Sequence, residues 1–244
     1  MIMAEETWMG CEKRPVSAAG RDGFVVVPRK PLPGNPWAWR TEFFGAFDWA
    51  DRALLEEGWH LAYYKVSDMF GCPEAVADMR KFQAAVEEAL GLAPKAALFG
   101  FSRGGLYAVN YAAAYPEKVS LLYLDAPVLD IRSWPGGLGS APRSDWDWEE
   151  CKKWYGLDEE SAPHFDRNPI DRAPELLRAN IPVILVAGDA DEVVPFAENG
   201  AKLQKLYESG GGTIRTILKP GCGHHPHSLE DPSPITAFIQ EYGR

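Results

Sequence analysis

Apolar and polar positions run along the chain in two rhythms. Short apolar, often β-branched runs read as buried strands: 23–30 (GFVVVPRK), 59–66 (WHLAYYKV), 95–100 (KAALFG), 118–127 (KVSLLYLDAP), 181–189 (IPVILVAGD) and 213–220 (TIRTILKP). Between them, apolar residues at three- and four-residue spacing predict helices over 41–58, 73–91, 103–116, 195–209 and 233–243. Thr41 is a plausible cap and Gly58 a stop for the first; Pro73 opens and Gly91 ends the second. Residues 31–40 (PLPGNPWAWR) read as a Pro/Gly loop, and 128–173 carry no clean period.

Strands alternating with helices imply βαβ units. The expected fold is therefore α/β: a mostly parallel sheet covered by helices on both faces, with right-handed crossovers. The core is expected over 1–127 and 174–244, with residues 128–173 inserted as a small cap. Ligands of such sheets sit at the carboxyl ends of the strands, so the chemistry is sought in the strand-to-helix loops.

One of those loops holds Gly100-Phe101-Ser102-Arg103-Gly104, a G-x-S-x-G pattern between a predicted strand and a predicted helix. A turn that sharp strains its central residue, and bulk two positions to either side would strike the neighbouring strand and helix. Glycines at 100 and 104 fit that need. The bland alternative is a helix-capping serine in a Gly-rich turn. A serine hydroxyl at neutral pH needs a base, and the base needs an orienting acid. The loop after strand 181–187 offers Asp189 and Asp191 (GDADEVVP). The loop after strand 213–218 offers His224, His225 and His227 (GCGHHPHS). All three elements fall on one edge of the sheet, in the chain order Ser, acid, His.

With these pieces the chain resembles the α/β-hydrolase superfamily across nearly its whole length. The resemblance implies a Ser102–His224–Asp191 triad: the acid stands as in G-x-x-D-x-x-V-P, selecting Asp191, and the base directly follows a glycine, selecting His224. Asp189 is then a turn-shaping residue, while His225 and His227 are supporting or exposed. Asp125, after strand 118–124, is the runner-up acid. The resemblance also implies an oxyanion hole. The backbone N–H of Arg103 supplies one donor, and the loop after strand 24–28 the other, with Leu32 or Trp37 as candidates. The His-Gly common in that loop is missing. A fainter likeness, on LDAPVLDIRSWPGG, is to bacterial hydrolases of carbohydrate breakdown.

Three histidines within four positions, with Asp191 near, also admit a zinc site, but Pro226 makes the stretch a loop and no H-E-x-x-H helix exists. Cys222 stands on the wrong loop for a nucleophile, and His60, mid-strand, reads as structural. Trp134, Trp146, Trp148, Trp154, Tyr155 and Phe165 crowd the 128–173 insertion. They read either as structural anchors or as walls of an aromatic pocket; Trp134, Trp146 and Trp148 are the substrate-binding candidates. Arg40, Arg103, Arg132 and Arg143 are carboxylate readers or plain surface ion pairs, with Arg40 the substrate-binding candidate.

The 244 residues, 46% hydrophobic, suffice for one ordinary α/β core. A net charge of -10 without a basic stripe argues against nucleic-acid or anionic-membrane partners. Four scattered cysteines make no metal-like spacing and suit a reducing compartment. The acidic N-terminus lacks the charge and apolar core of a signal peptide, so a cytoplasmic location is expected. The expected activity is cofactor-independent: a carboxylesterase forming an acyl-enzyme on a small or carbohydrate-linked ester. A thioesterase or peptidase would use the same triad, although superfamily peptidases often carry a propeller domain. A non-catalytic ligand-binding homologue is the alternative of another class. Oligomeric state has no signature in the sequence.

Overall fold

The computed structural model describes residues 7–243. Among them the strands are β1 (Thr7–Trp8), β2 (Cys11–Ala18), β3 (Arg21–Val27), β4 (Trp37–Arg40), β5 (His60–Tyr64), β6 (Ala96–Phe101), β7 (Val119–Asp125), β8 (Val183–Gly188) and β9 (Ile214–Lys219). The helices are α1 (Trp49–Glu56), α2 (Pro73–Leu90), α3 (Gly104–Ala114), α4 (Asp145–Tyr155), α5 (Pro169–Arg178), α6 (Gly200–Gly210) and α7 (Ser233–Tyr242). All strands join one sheet in the order β1-β2-β3-β5-β4-β6-β7-β8-β9. The pairs up to β3·β5 are antiparallel and the rest parallel.

The two-residue period of the strands splits the core into two layers. Trp37 and Trp39 of β4 and Leu98 of β6 face one layer with residues of α2 and α3. Ala38, Ala97, Phe99 and Phe101 face the other, with residues of α1 and α7. Strands covered on both faces need unbroken apolar sequence, and β6 and β8 are buried at every position.

The fold departs from expectation in four places. The segment 37–40, read as loop, is a central strand: four residues are too few to show a period, and three prolines precede it. The helix expected from 41 starts only at Trp49, because Phe43, Gly45 and Phe47 take left-handed backbone conformations that a helix cannot accommodate. Thr41 is not a cap. Its hydroxyl lies 2.9 Å from the carbonyl oxygens of both Phe99 and Gly104, clamping its loop to the end of β6 and the start of α3. The third is the unforeseen pair β1 and β2, joined to each other and to β3 by two-residue turns, Met9-Gly10 and Ala19-Gly20. All four turn residues have positive φ, as such hairpins require.

Fourth, the irregular 128–173 stretch contains α4, whose Trp148 and Cys151 join the first core layer. No described helix is long and apolar enough to cross a membrane. Cys11, Cys72, Cys151 and Cys222 are all free thiols.

Candidate active site

The turn between β6 and α3 holds Ser102 at φ 50°, a left-handed conformation that costs a non-glycine residue about 1–3 kcal/mol. The Ser102 N–H donates to the Asp125 carbonyl at 2.9 Å, and its own carbonyl accepts from Gly105 and Val128, so the surroundings hold the strain in place. A Cβ at Gly100 would come within 2.9 Å of Ala108 Cβ, and one at Gly104 within 3.0 Å of Thr41 Oγ1. Both glycines are thus the steric condition for the turn.

The loops after β8 and β9 are tied together before they reach Ser102. Asp189 accepts from the Gly221 N–H at 2.7 Å, and the Ala190 N–H donates to Cys222 O at 3.0 Å. They touch so closely that a Cβ on Gly188 would lie 2.1 Å from the Cys222 carbonyl oxygen. From this joint Asp191 and His224 project together. Asp191 Oδ2 lies 2.7 Å from His224 Nδ1, and His224 Nε2 lies 3.0 Å from Ser102 Oγ. Hydroxyl, imidazole and carboxylate form one hydrogen-bonded row.

Asp191 is positioned on its far side too. Its Oδ1 accepts the N–H groups of Val193 and Val194, each at 2.9 Å. Burial works to raise its pKa. The hydrogen bonds from His224, Val194 and Val193 outweigh burial and hold the carboxyl below its ordinary value. An ionised Asp191 accepts from Nδ1–H, which leaves the Nε2 lone pair facing the serine hydroxyl.

The runner-up acid, Asp125, serves another ring. It is fully buried; Oδ1 lies 2.8 Å from His227 Nδ1, and Oδ2 accepts from the Ser228 N–H at 2.7 Å and the Tyr123 hydroxyl at 3.2 Å. This second Asp–His pair anchors the histidine loop beneath His224, whose ring meets His227 edge to face at 4.8 Å. His225 is exposed and stacks on Phe47. Each of the three histidines offers one nitrogen within 4.8 Å of the others, but both nitrogens of His224 are already engaged. The Cys222 thiol donates to the His225 carbonyl at 3.6 Å.

Several sequence expectations need correction. Leu32 is no oxyanion donor, because its N–H is spent on Gly58 O at 3.0 Å. Trp37 is none either: it opens β4 at the end opposite the serine, buried, with its indole N–H on Ala93 O. Both errors follow from the missed strand, since the loop that reaches the nucleophile comes after β4. There the N–H groups of Glu42 and Phe43 make no hydrogen bond among the described residues, and neither does that of Arg103.

Arg40 does not face a ligand. It is 1% exposed, paired with Asp51 at 2.6 Å and stacked over Phe101 at 3.8 Å. Trp148 is a core residue at 1% exposure, whereas Trp146 stands 67% exposed on α4 and Trp134 is half-buried against Phe70. Arg132 is bound to Asp130, and Arg143 to Asp145, Glu149 and Glu159.

Sequence reasoning missed Glu42 and Asp147. Both flank Arg103, at 3.5 and 3.7 Å, and its guanidinium lies 5.3 Å from the Phe43 ring. Burial raises the Glu42 pKa against the pull of Arg103. Neither acid carries a signal in the sequence, because both reach Arg103 only through tertiary contact.

Comparison with known proteins bears on the fold. Residues 35–144 match the family model described as alpha/beta hydrolase fold. The acylamino-acid-releasing enzyme of Sus scrofa is 30% identical over 162 residues, 63% of this chain and 21% of that protein. The Rattus norvegicus enzyme of that name is 29% identical over 168 residues, 64% and 22%. The chain thus spans about a fifth of these relatives. Among solved structures, a puromycin-hydrolyzing peptidase of Mycobacterium tuberculosis superposes with a TM-score of 0.70 at 15% identity, over 98% of this chain and 39% of its own. An acylaminoacyl peptidase in complex with Z-Gly-Gly-Phe-chloromethyl ketone gives 0.72 at 10% identity, over 96% and 41%. At such identities the superpositions speak for the fold.

Proposed function

We infer that the chain belongs to the α/β-hydrolase superfamily, from the family-model match over residues 35–144, and propose that it is a serine hydrolase working through an acyl-enzyme, with Ser102 as nucleophile. One observation carries the reading: the continuous row Ser102 Oγ, His224 Nε2, His224 Nδ1, Asp191 Oδ2. His224 accepts the hydroxyl proton as Ser102 Oγ forms its bond to the substrate carbonyl carbon. The carbonyl becomes an oxyanion, held by the Arg103 N–H and by an N–H of the Glu42–Phe43 pair. The imidazolium, steadied by ionised Asp191, passes its proton to the departing nitrogen or oxygen. Water then attacks the acyl-enzyme with His224 as base, and collapse returns the proton to Ser102 and frees the acid.

For the scissile bond we put the amide of a short acylated or aminoacyl substrate first. Sequence relatives named acylamino-acid-releasing enzyme support that choice over the carboxylesterase expected from the motifs. Ester hydrolysis at the same site is the second reading, since the triad serves both leaving groups. The 128–173 segment acts as a cap in this scheme: Asp147 of α4 reaches Arg103, next to the nucleophile. Four free thiols suit a cytoplasmic setting.

The test is a matched set of N-acetyl-alanine p-nitroanilide, alanine p-nitroanilide and p-nitrophenyl acetate, assayed with the wild type and Ser102→Ala. Turnover of an anilide that vanishes in the variant supports the amide reading. Turnover of the ester alone moves the assignment to the second reading. Equal turnover by Ser102→Ala removes both.

A further inference from the structure

The aromatic residues of the 128–173 insertion are only partly absorbed by this scheme, because Tyr155 and Phe165 wall a different cavity. It is a cleft of about 430 Å³ among α2, α3, α4 and α5, and its lining shares no residue with the row Ser102–His224–Asp191. Tyr155 lies between it and the nucleophile's surroundings: its hydroxyl donates to the Phe70 carbonyl, while the Phe70 ring faces Arg103 at 6.0 Å.

Three features of the lining point to a ligand. Tyr115, Tyr155 and Phe165 present aromatic surface. Arg167 and Arg172 bring two positive charges with no acidic residue in the lining, on a chain whose net charge is -10. Neither arginine forms an ion pair among the described residues. Arg167 only lies over the Phe165 ring. Asn110 is 3% exposed; its amide donates to Gly71 O and toward the Tyr155 hydroxyl, and its Oδ1 has no partner among the described residues. A buried acceptor without a donor is costly, and two unpaired guanidiniums beside aromatic walls are an arrangement that stacks a ring and forks a carboxylate.

We propose that this cleft binds a small aromatic carboxylate that carries a hydroxyl or N–H donor, at a site separate from the nucleophile. The ring packs among Tyr115, Tyr155 and Phe165, the carboxylate takes Arg167 and Arg172, and the donor satisfies Asn110 Oδ1. The volume lies within the range of small-molecule pockets.

The probe is 4-hydroxycinnamate, titrated calorimetrically into the 244-residue Ser102→Ala chain so that no turnover intervenes. Cinnamate and methyl 4-hydroxycinnamate are the comparators. Saturable one-to-one binding is expected, about tenfold weaker for the methyl ester, which lacks the charge, and weaker for cinnamate, which lacks the donor. Arg167→Gln and Arg172→Gln should each lose about tenfold. Both arginines lack ion pairs to disturb, and the comparators read out the same contacts should either variant fold poorly. Binding to wild-type protein must also persist after a fluorophosphonate has blocked the serine. Absence of saturable binding, indifference to the charge of the probe, unchanged affinity in both arginine variants, or competition by the fluorophosphonate would each overturn the proposal.

Discussion

Replacing Asp191 by asparagine tests the site at its best-determined point. One carboxylate oxygen of Asp191 is fixed by two backbone donors, Val193 and Val194. An asparagine there keeps those bonds only by turning its carbonyl oxygen toward them, which presents its NH2 to His224. The imidazole must then accept at Nδ1 and carry its proton on Nε2, the nitrogen that has to receive the serine proton. The substitution therefore imposes the wrong tautomer as well as removing the charge that steadies the imidazolium. In triads of this type such a change costs roughly 10³–10⁴ in kcat, or about 4–5.5 kcal/mol of transition-state stabilisation. The side chain is isosteric and its backbone bonds survive, so KM and melting temperature should move little. The assay is kcat and KM on the best substrate of the matched set, with a melt of each protein. A loss in kcat below tenfold, with the melt unchanged, would refute the assignment of Asp191 as the orienting acid.

Other outcomes follow from the same contacts. Gly188→Ala should lower stability by about 1–3 kcal/mol or more and depress activity, because the added methyl meets the Cys222 carbonyl and separates the two loops; chemical denaturation checks it. Arg40→Met should cost about 3–5 kcal/mol by leaving Asp51 buried and uncompensated, while the charge preference among substrates stays as in the wild type. Burial lowers the His60 pKa, with the Pro36 carbonyl opposing and Arg14 assisting. The folded state then binds fewer protons than the unfolded one. This contribution to stability is complete above about 6.5, the unfolded value, and is lost as pH falls toward the folded one. His60→Gln should accordingly flatten the melting temperature between about pH 7 and pH 5, and an identical slope in both proteins would contradict the assignment.

The part of the site most legible in the sequence was the part with the tightest steric and chemical demands. Gly100, Ser102 and Gly104 are legible because only glycine fits the flanks of so sharp a turn, and the order of strands brings Asp191 and His224 to the same edge. The resemblance selects Asp191 over Asp189; the runner-up acid, Asp125, is committed to His227 and Ser228, which no sequence pattern shows. What stayed hidden was set by tertiary context. A four-residue strand has no measurable period, so β4 reads as part of a Pro/Gly loop, and the loop that follows it reads as helix. With β4 hidden, the sequence points to Leu32 and Trp37 for the second oxyanion donor, upstream of the loop that reaches Ser102. Arg40 looked like a ligand reader because sequence shows a charge but not its buried partner, Asp51. Trp146 and Trp148 are two positions apart on α4, yet one is exposed and the other is core, a division made by whatever α4 packs against.

Activation of Ser102 as a nucleophile by His224 can be measured directly. The direct measurement is mass spectrometry of the intact protein and its peptides after treatment with a fluorophosphonate. A single adduct is expected on the peptide containing Ser102, absent in Ser102→Ala and strongly slowed in His224→Ala. An adduct on another residue, or labelling of His224→Ala at the wild-type rate, would contradict it.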